Sequence, residues 1–219
     1  MTKELEKTLK ILSNYNKKYN DNPNIYCNRI FVHDDLIYAT DGRIFVYTKN
    51  PTEIKDFSWF DGNKFTFIPS TSGTEASRVR EYLKNGQVME KIITMFNYSN
   101  LEFDLDFTDY ILPLKCMDSV KNRYFNNDLT LNFETMETTL DFCGGWTKDG
   151  GVTYTYEDVL KNVTGEKYLI LFMPIYYIMK TMQILKVKKI HIKCYLERRH
   201  MMFSAGEYNF IAMTGKYMQ

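Results

Sequence analysis

No stretch of this 219-residue chain approaches the roughly 18 to 20 consecutive apolar residues of a membrane span. The lysine-rich N-terminus leads into an amphipathic pattern and not into an apolar signal core, so the sequence predicts a cytoplasmic protein with no membrane partner. Cysteine is sparse: Cys27, Cys116, Cys143 and Cys194 lie far apart without C-x-x-C spacing. That excludes a zinc ribbon and a disulfide framework and leaves reduced core thiols. Histidine is scarcer still; His33, His191 and His200 are dispersed and read as structural, with no metal or catalytic cluster among them. The glycine pairs Gly144-Gly145 and Gly150-Gly151, around Trp146 and Lys148, fit neither a phosphate-binding loop nor a dinucleotide fingerprint. They read as a flexible loop, and no cofactor is implied. A net charge of +1 excludes a protein that is basic all over but permits opposite charges on different faces.

What is present is ordinary globular material, 44% apolar and 25% charged. The length suits one large domain or two small ones. Over residues 2 to about 19, Leu5, Leu9, Leu12, Tyr15 and Tyr19 recur at steps of three or four behind a capping Thr2, which predicts an amphipathic helix. Strand-like runs follow at 25–32, 36–39 and 44–48, separated by His33-Asp34-Asp35 and Thr40-Asp41-Gly42 turns. The C-terminal end repeats that order. A strand at 168–172 leads to a helix with Pro174 in its first turn and Ile175, Ile178, Met179, Met182 and Leu185 as its buried stripe. Strands at 187–195, 201–204 and 208–213 come next, with a turn at Gly206-Glu207. Between the ends, residues 113–124 read as helix before strands at 129–134 and 138–143. Residues 75–83 and 88–96 have helical character, and 64–68 and 101–107 read as strands. The result is an α+β chain of helix-plus-antiparallel-meander units, divided into domains 1–108 and 109–219.

Lys3, Lys7, Lys10, Asn14 and Lys17 fall on one helical stripe opposite the leucines. Arg80, Lys84 and Lys91 show related spacing; Lys121 and Arg123 end the third helical segment; Lys180 and Lys186 belong to the last. On one helix, lysines of this kind are simply the solvated face. On four, they suit a protein that touches DNA phosphates without reading bases. Asp56, Asp61, Asp104, Asp106 and Asp109 lie on strands and loops and predict an acidic outer surface. Two rivals stay open. Glu102, Asp104 and Asp106 share one strand face where a nuclease would hold a divalent metal, although no histidine or lysine nearby completes such a pattern. The abundant tyrosine and phenylalanine would stack single-stranded bases if they were not core.

Tyr38-Ala39-Thr40-Asp41-Gly42-Arg43-Ile44-Phe45 resembles the A-T-D-G-x-R-L hairpin of the bacterial DNA sliding clamps, with the arginine one place early. Gly165-Glu166, Phe172, Pro174, Tyr176 and Ile178 resemble the turn, strand end and helix start near the clamp's C-terminus, and 208–213 resembles its last strand. The family's terminal M-P-M is Met213-Thr214-Gly215 here. The resemblance implies a two-domain version of a three-domain clamp, with helices lining a ring around duplex DNA. It implies three chains per ring, a DNA polymerase and a clamp loader as partners, and no catalysis. A reduced clamp suits a phage and therefore a host's cytoplasm. The implied partner-peptide pocket uses Thr40, Gly42, Arg43, Phe45, Ile211, Met213 and Thr214. The alternative is a clamp-fold interaction module that forms no ring.

Overall fold

The structure, a computed structural model, describes residues 1–16, 29–40, 44–55, 58–61, 66–69, 93–94, 96–98, 101–106, 108, 129–132, 137–141, 151–155, 167–170, 172–195, 200–213 and 215–216. The chain forms two units: residues 1–98 with 207–211, and residues 99–206 with 212–219.

In the first unit, helix α1 (Lys3–Asn16) starts where the sequence places its cap. The Leu5 amide donates to Thr2 Oγ1 at 3.2 Å and the Glu6 amide to the Thr2 carbonyl at 3.0 Å. The Thr2 hydroxyl thus satisfies an amide that the first turn would otherwise leave orphaned, while its carbonyl accepts the first intrahelical bond. Leu9, Ile11, Leu12 and Tyr15 are buried, and each aliphatic among them contributes about 1.5–3 kcal/mol by leaving water. Strands β1 (Arg29–His33), β2 (Leu36–Thr40), β3 (Ile44–Lys49), β4 (Ser58–Asp61) and β5 (Thr66–Pro69) are joined by β13 (Tyr208–Met213), whose first four residues belong to this unit. Their order is β5-β4-β1-β2-β3-β13, and α1 packs on β1 and β2.

The two-residue β1–β2 turn places Asp34 at φ 50, a left-handed conformation that aspartate tolerates better than most residues. Asn50 anchors this turn: its Nδ2 donates to the carbonyls of Asp34 (3.1 Å) and Ile54 (2.7 Å). Register sets Phe31 opposite Tyr38 and Tyr38 opposite Tyr47 on one face, and Val32 opposite Ile37 and Ala39 opposite Val46 on the other. All of these residues are buried. None of the acidic residues expected on the outer surface lies on β1–β3. These strands alternate aromatic with aliphatic residues, which is the pattern of a sheet buried on both faces. Strand β4, which no run in the sequence announces, sets Trp59 opposite Phe31.

In the second unit, β6 (Leu101–Asp106), β11 (Lys189–Tyr195) and β12 (His200–Ala205) lie in the order β12-β11-β6. A five-stranded sheet holds β7 (Leu129–Asn132), β8 (Glu137–Asp141), β9 (Gly151–Thr155), β10 (Lys167–Ile170) and β14 (Gly215–Lys216) in the order β14-β10-β7-β8-β9. The loop expected around Gly150-Gly151 is corrected in part: Gly151 opens β9, which pairs Val152 with Leu140 and Tyr154 with Thr138 of β8. The alternation Val152-Thr153-Tyr154-Thr155 carries that signal.

Helix α2 (Phe172–Leu185) buries Ile178, Met179 and Met182 as its spacing predicts, and packs on β12. It ends in a Schellman motif: the Val187 amide donates to the Met182 carbonyl at 3.0 Å, and the Lys186 amide to that of Gln183 at 3.3 Å. Lys186 occupies the left-handed position at φ 58, where glycine is usual. The helices expected over 75–83 and 113–124 lie outside the described residues. Of 88–96, residues 93–94 are helical and Phe96 opens a short 3-10 turn (Phe96–Tyr98).

Candidate functional site

The amphipathic pattern of α1 turns Lys3, Lys7 and Lys10 outward, and all three are exposed. The stripe is not purely basic, however. Glu4 and Glu6 are exposed on the same helix, and Glu207, at the turn before β13, brings Oε1 to 3.8 Å from Lys7 Nζ. Spacing within α1 could not reveal Glu207, which lies far away at the other end of the chain.

On α2, Lys180 is half-buried and Lys186 is exposed. Lys188 and Lys189, which the helical-stripe argument passed over, are exposed immediately beyond Lys186. The run Lys186-Val187-Lys188-Lys189 was the signal available for them. Lys17, Arg80, Lys84, Lys91, Lys121 and Arg123 lie outside the described residues.

Of the peptide-pocket residues, Thr40 and Phe45 face each other across the β2–β3 register. Thr40 Oγ1 donates to the Ile44 carbonyl at 2.8 Å, tying down the mouth of this hairpin. Phe45 is half-buried, with its ring centroid 5.4 Å from that of Tyr38 and 5.6 Å from that of Tyr47. Burial pushes the Tyr47 hydroxyl up to about 12 and that of Tyr38 higher still, so both stay neutral and serve as apolar surface with a polar tip. Ile211 is buried on β13, the strand beside β3. Met213 ends β13; Gly42, Arg43 and Thr214 lie outside the described residues.

The carboxylates weighed as a metal site meet different partners. The β6–β11 register sets Asp104 opposite His191 and Glu102 opposite Lys193. His191 Nδ1 lies 2.8 Å from Asp104 Oδ1 and its Nε2 3.4 Å from Glu102 Oε2, while Lys193 Nζ lies 2.9 Å from Glu102 Oε1. The expectation that no histidine or lysine stands nearby is therefore corrected: antiparallel pairing supplies both from a strand distant in the chain. Asp106 instead accepts hydrogen bonds from the side chain and amide of Thr108, which, aided by Lys189 and Lys188, hold its carboxyl below the usual carboxylate range. No group of three or more potential metal ligands is found among the described residues. His33 lies 3.3 Å from Asp34, while His200 Nδ1 is buried with no hydrogen-bond partner among the described residues.

No protein-family profile and no curated protein sequence matches the chain. Solved structures do. The Helicobacter pylori beta clamp bound to a DNA ligase peptide superposes with a TM-score of 0.65 at 10% identity, over 98% of this chain and 64% of that one. Caulobacter crescentus polymerase III beta gives 0.62 at 10% identity, over 98% and 64%. The Thermotoga maritima DNA polymerase III beta subunit gives 0.58 at 12% identity, over 96% and 62%. The fold is that of the DNA sliding clamps. More narrowly, it is the α+β fold of the bacterial beta clamp, and the chain spans just under two thirds of the length of the clamps it matches.

Proposed function

We propose that this chain is a non-catalytic DNA polymerase processivity factor, a reduced sliding clamp that encircles duplex DNA. The observation that carries the reading is the clamp fold extending over nearly the whole chain rather than over one unit. Three copies close the ring by a repeated head-to-tail interface, since two domains per chain then give the six of a clamp ring. The mechanism is topological. A closed ring cannot leave DNA sideways, so weak contacts from exposed lysines to phosphates suffice without sequence specificity, and a tethered polymerase gains a high effective concentration at the primer end. Lys3, Lys7, Lys10, Lys180 and Lys186 are the described candidates for those contacts, with Lys17, Arg80, Lys84, Lys91, Lys121 and Arg123 in the same role. The hairpin of Thr40, Gly42, Arg43 and Phe45, with Ile211, Met213 and Thr214, receives an apolar peptide from the polymerase or a clamp loader. One support for this pocket is that a clamp of the same fold is bound to a DNA ligase peptide.

The charge balance on α1 favours one competing reading, a clamp-fold interaction module that forms no ring. Sedimentation equilibrium at micromolar concentration separates the two. A species of three chain masses supports the clamp; monomer at every concentration contradicts it. A metal-dependent nuclease is the weaker alternative: Glu102 and Asp104 face His191 and Lys193 as exposed ion-pair partners, and metal-dependent cleavage lost in Asp104→Ala would favour it.

A further inference from the structure

We propose that Glu207 is a built-in competitor for Lys7, occupying the lysine that a DNA phosphate would otherwise take. This rests on the reading of α1 as a DNA-facing helix. The carboxylate is carried by a fixed element and not by a mobile tail. Gly206 turns the chain at φ 59, and the Glu207 carbonyl accepts a 2.9 Å hydrogen bond from Thr48 Oγ1. The next residue, Tyr208, is buried, with its hydroxyl 3.0 Å from Thr8 Oγ1. Two successive residues, Glu207 of the turn and Tyr208 of β13, are thereby matched to two successive residues of α1, Lys7 and Thr8.

The anchored backbone sets the Glu207 carboxylate beside the middle lysine of the exposed stripe. Both side chains remain about half exposed, at 44% for Lys7 and 51% for Glu207. An incoming phosphate can therefore reach Lys7, but it must displace the carboxylate first. The pair is weak enough to be exchanged, as solvated ion pairs are. A protein that must move along DNA benefits from such exchange, because a phosphate reaching Lys7 has to break an ion pair that re-forms when the phosphate leaves. Lys7 then never becomes a lasting anchor. Glu207 would lower affinity while leaving the ring's topological hold untouched.

The test is a four-protein cycle of wild type, Glu207→Gln, Lys7→Gln and the double variant. Each is measured by fluorescence anisotropy on a short duplex across a salt series, with thermal unfolding recorded alongside. Glu207→Gln is expected to tighten binding at low salt by about two- to five-fold. The gain should shrink as salt rises, because the exposed ion pair that it removes is itself screened. In the Lys7→Gln background the same change should give no gain. An unchanged affinity in Glu207→Gln would overturn the proposal. So would an equal gain with and without Lys7, which would mean a diffuse charge effect. If the wild type itself binds no duplex, the DNA reading of α1 fails and the competitor role falls with it, a result distinct from binding that Glu207→Gln leaves unaltered.

Discussion

Replacing Lys186 by glycine should remove strain from the end of α2. Lys186 sits at φ 58 with its amide bonded to Gln183 and the next amide bonded to Met182, so the two hydrogen bonds of the Schellman motif hold it in the left-handed region. An L-residue there costs roughly 1–2 kcal/mol, and the added freedom of glycine in the unfolded chain returns about 0.5–1 kcal/mol of that. The lysine charge has its own effect, since a cation near the helix C-terminus contributes about 0.3–1 kcal/mol. Lys186→Gln serves as the reference because it removes the charge and keeps the strain. Lys186→Gly should then be the more stable of the two by about 1 kcal/mol, or roughly 2–4 °C in Tm for a chain of this size. Urea titration with linear extrapolation measures the difference. A glycine variant less stable than the glutamine variant would refute the left-handed assignment.

Other outcomes follow from the packing and the charge partners. Leu12→Ala, at a fully buried position of α1, should cost about 2–5 kcal/mol by denaturant unfolding, the range for a core cavity. Thr8→Val should cost about 1–3 kcal/mol by stranding the buried Tyr208 hydroxyl; adding Tyr208→Phe should recover part of that loss. The Asp106 carboxyl, held low mainly by the Thr108 side chain, should titrate below ordinary aspartates by NMR. Its stabilising contribution is complete above the unfolded-state pKa and is lost as pH falls through the folded value. Thr108→Val should move the Asp106 titration upward, and no movement would refute that cause.

The parts of the fold legible in sequence are those where one period dominates. Helix α1 follows from Leu5, Leu9, Leu12 and Tyr15, and β2 and β3 follow from the turns that bound them. Strand β13 appears with the limits read from its aromatic–apolar alternation, Tyr208 to Met213. Strand β9 was hidden because Gly150-Gly151 signals a loop more loudly than Val152 and Tyr154 signal a strand. The left-handed end of α2 was hidden because lysine stands where glycine would have announced it. Charge partnership was the least legible layer. Lys7 with Glu207, and His191 with Glu102 and Asp104, are brought together by long-range packing and strand register, which no local spacing encodes. The α1 stripe therefore looked more basic in sequence than it is in the fold.

Topological retention tests the central claim most directly. The protein is threaded over the ends of a linear duplex, both ends are then blocked with bulky groups, and the salt is raised to about 1 M, where charges are screened within about 3 Å. An encircling clamp stays on the blocked duplex and is released when one internal cut opens an end. Equal loss from blocked and cut DNA would contradict encirclement.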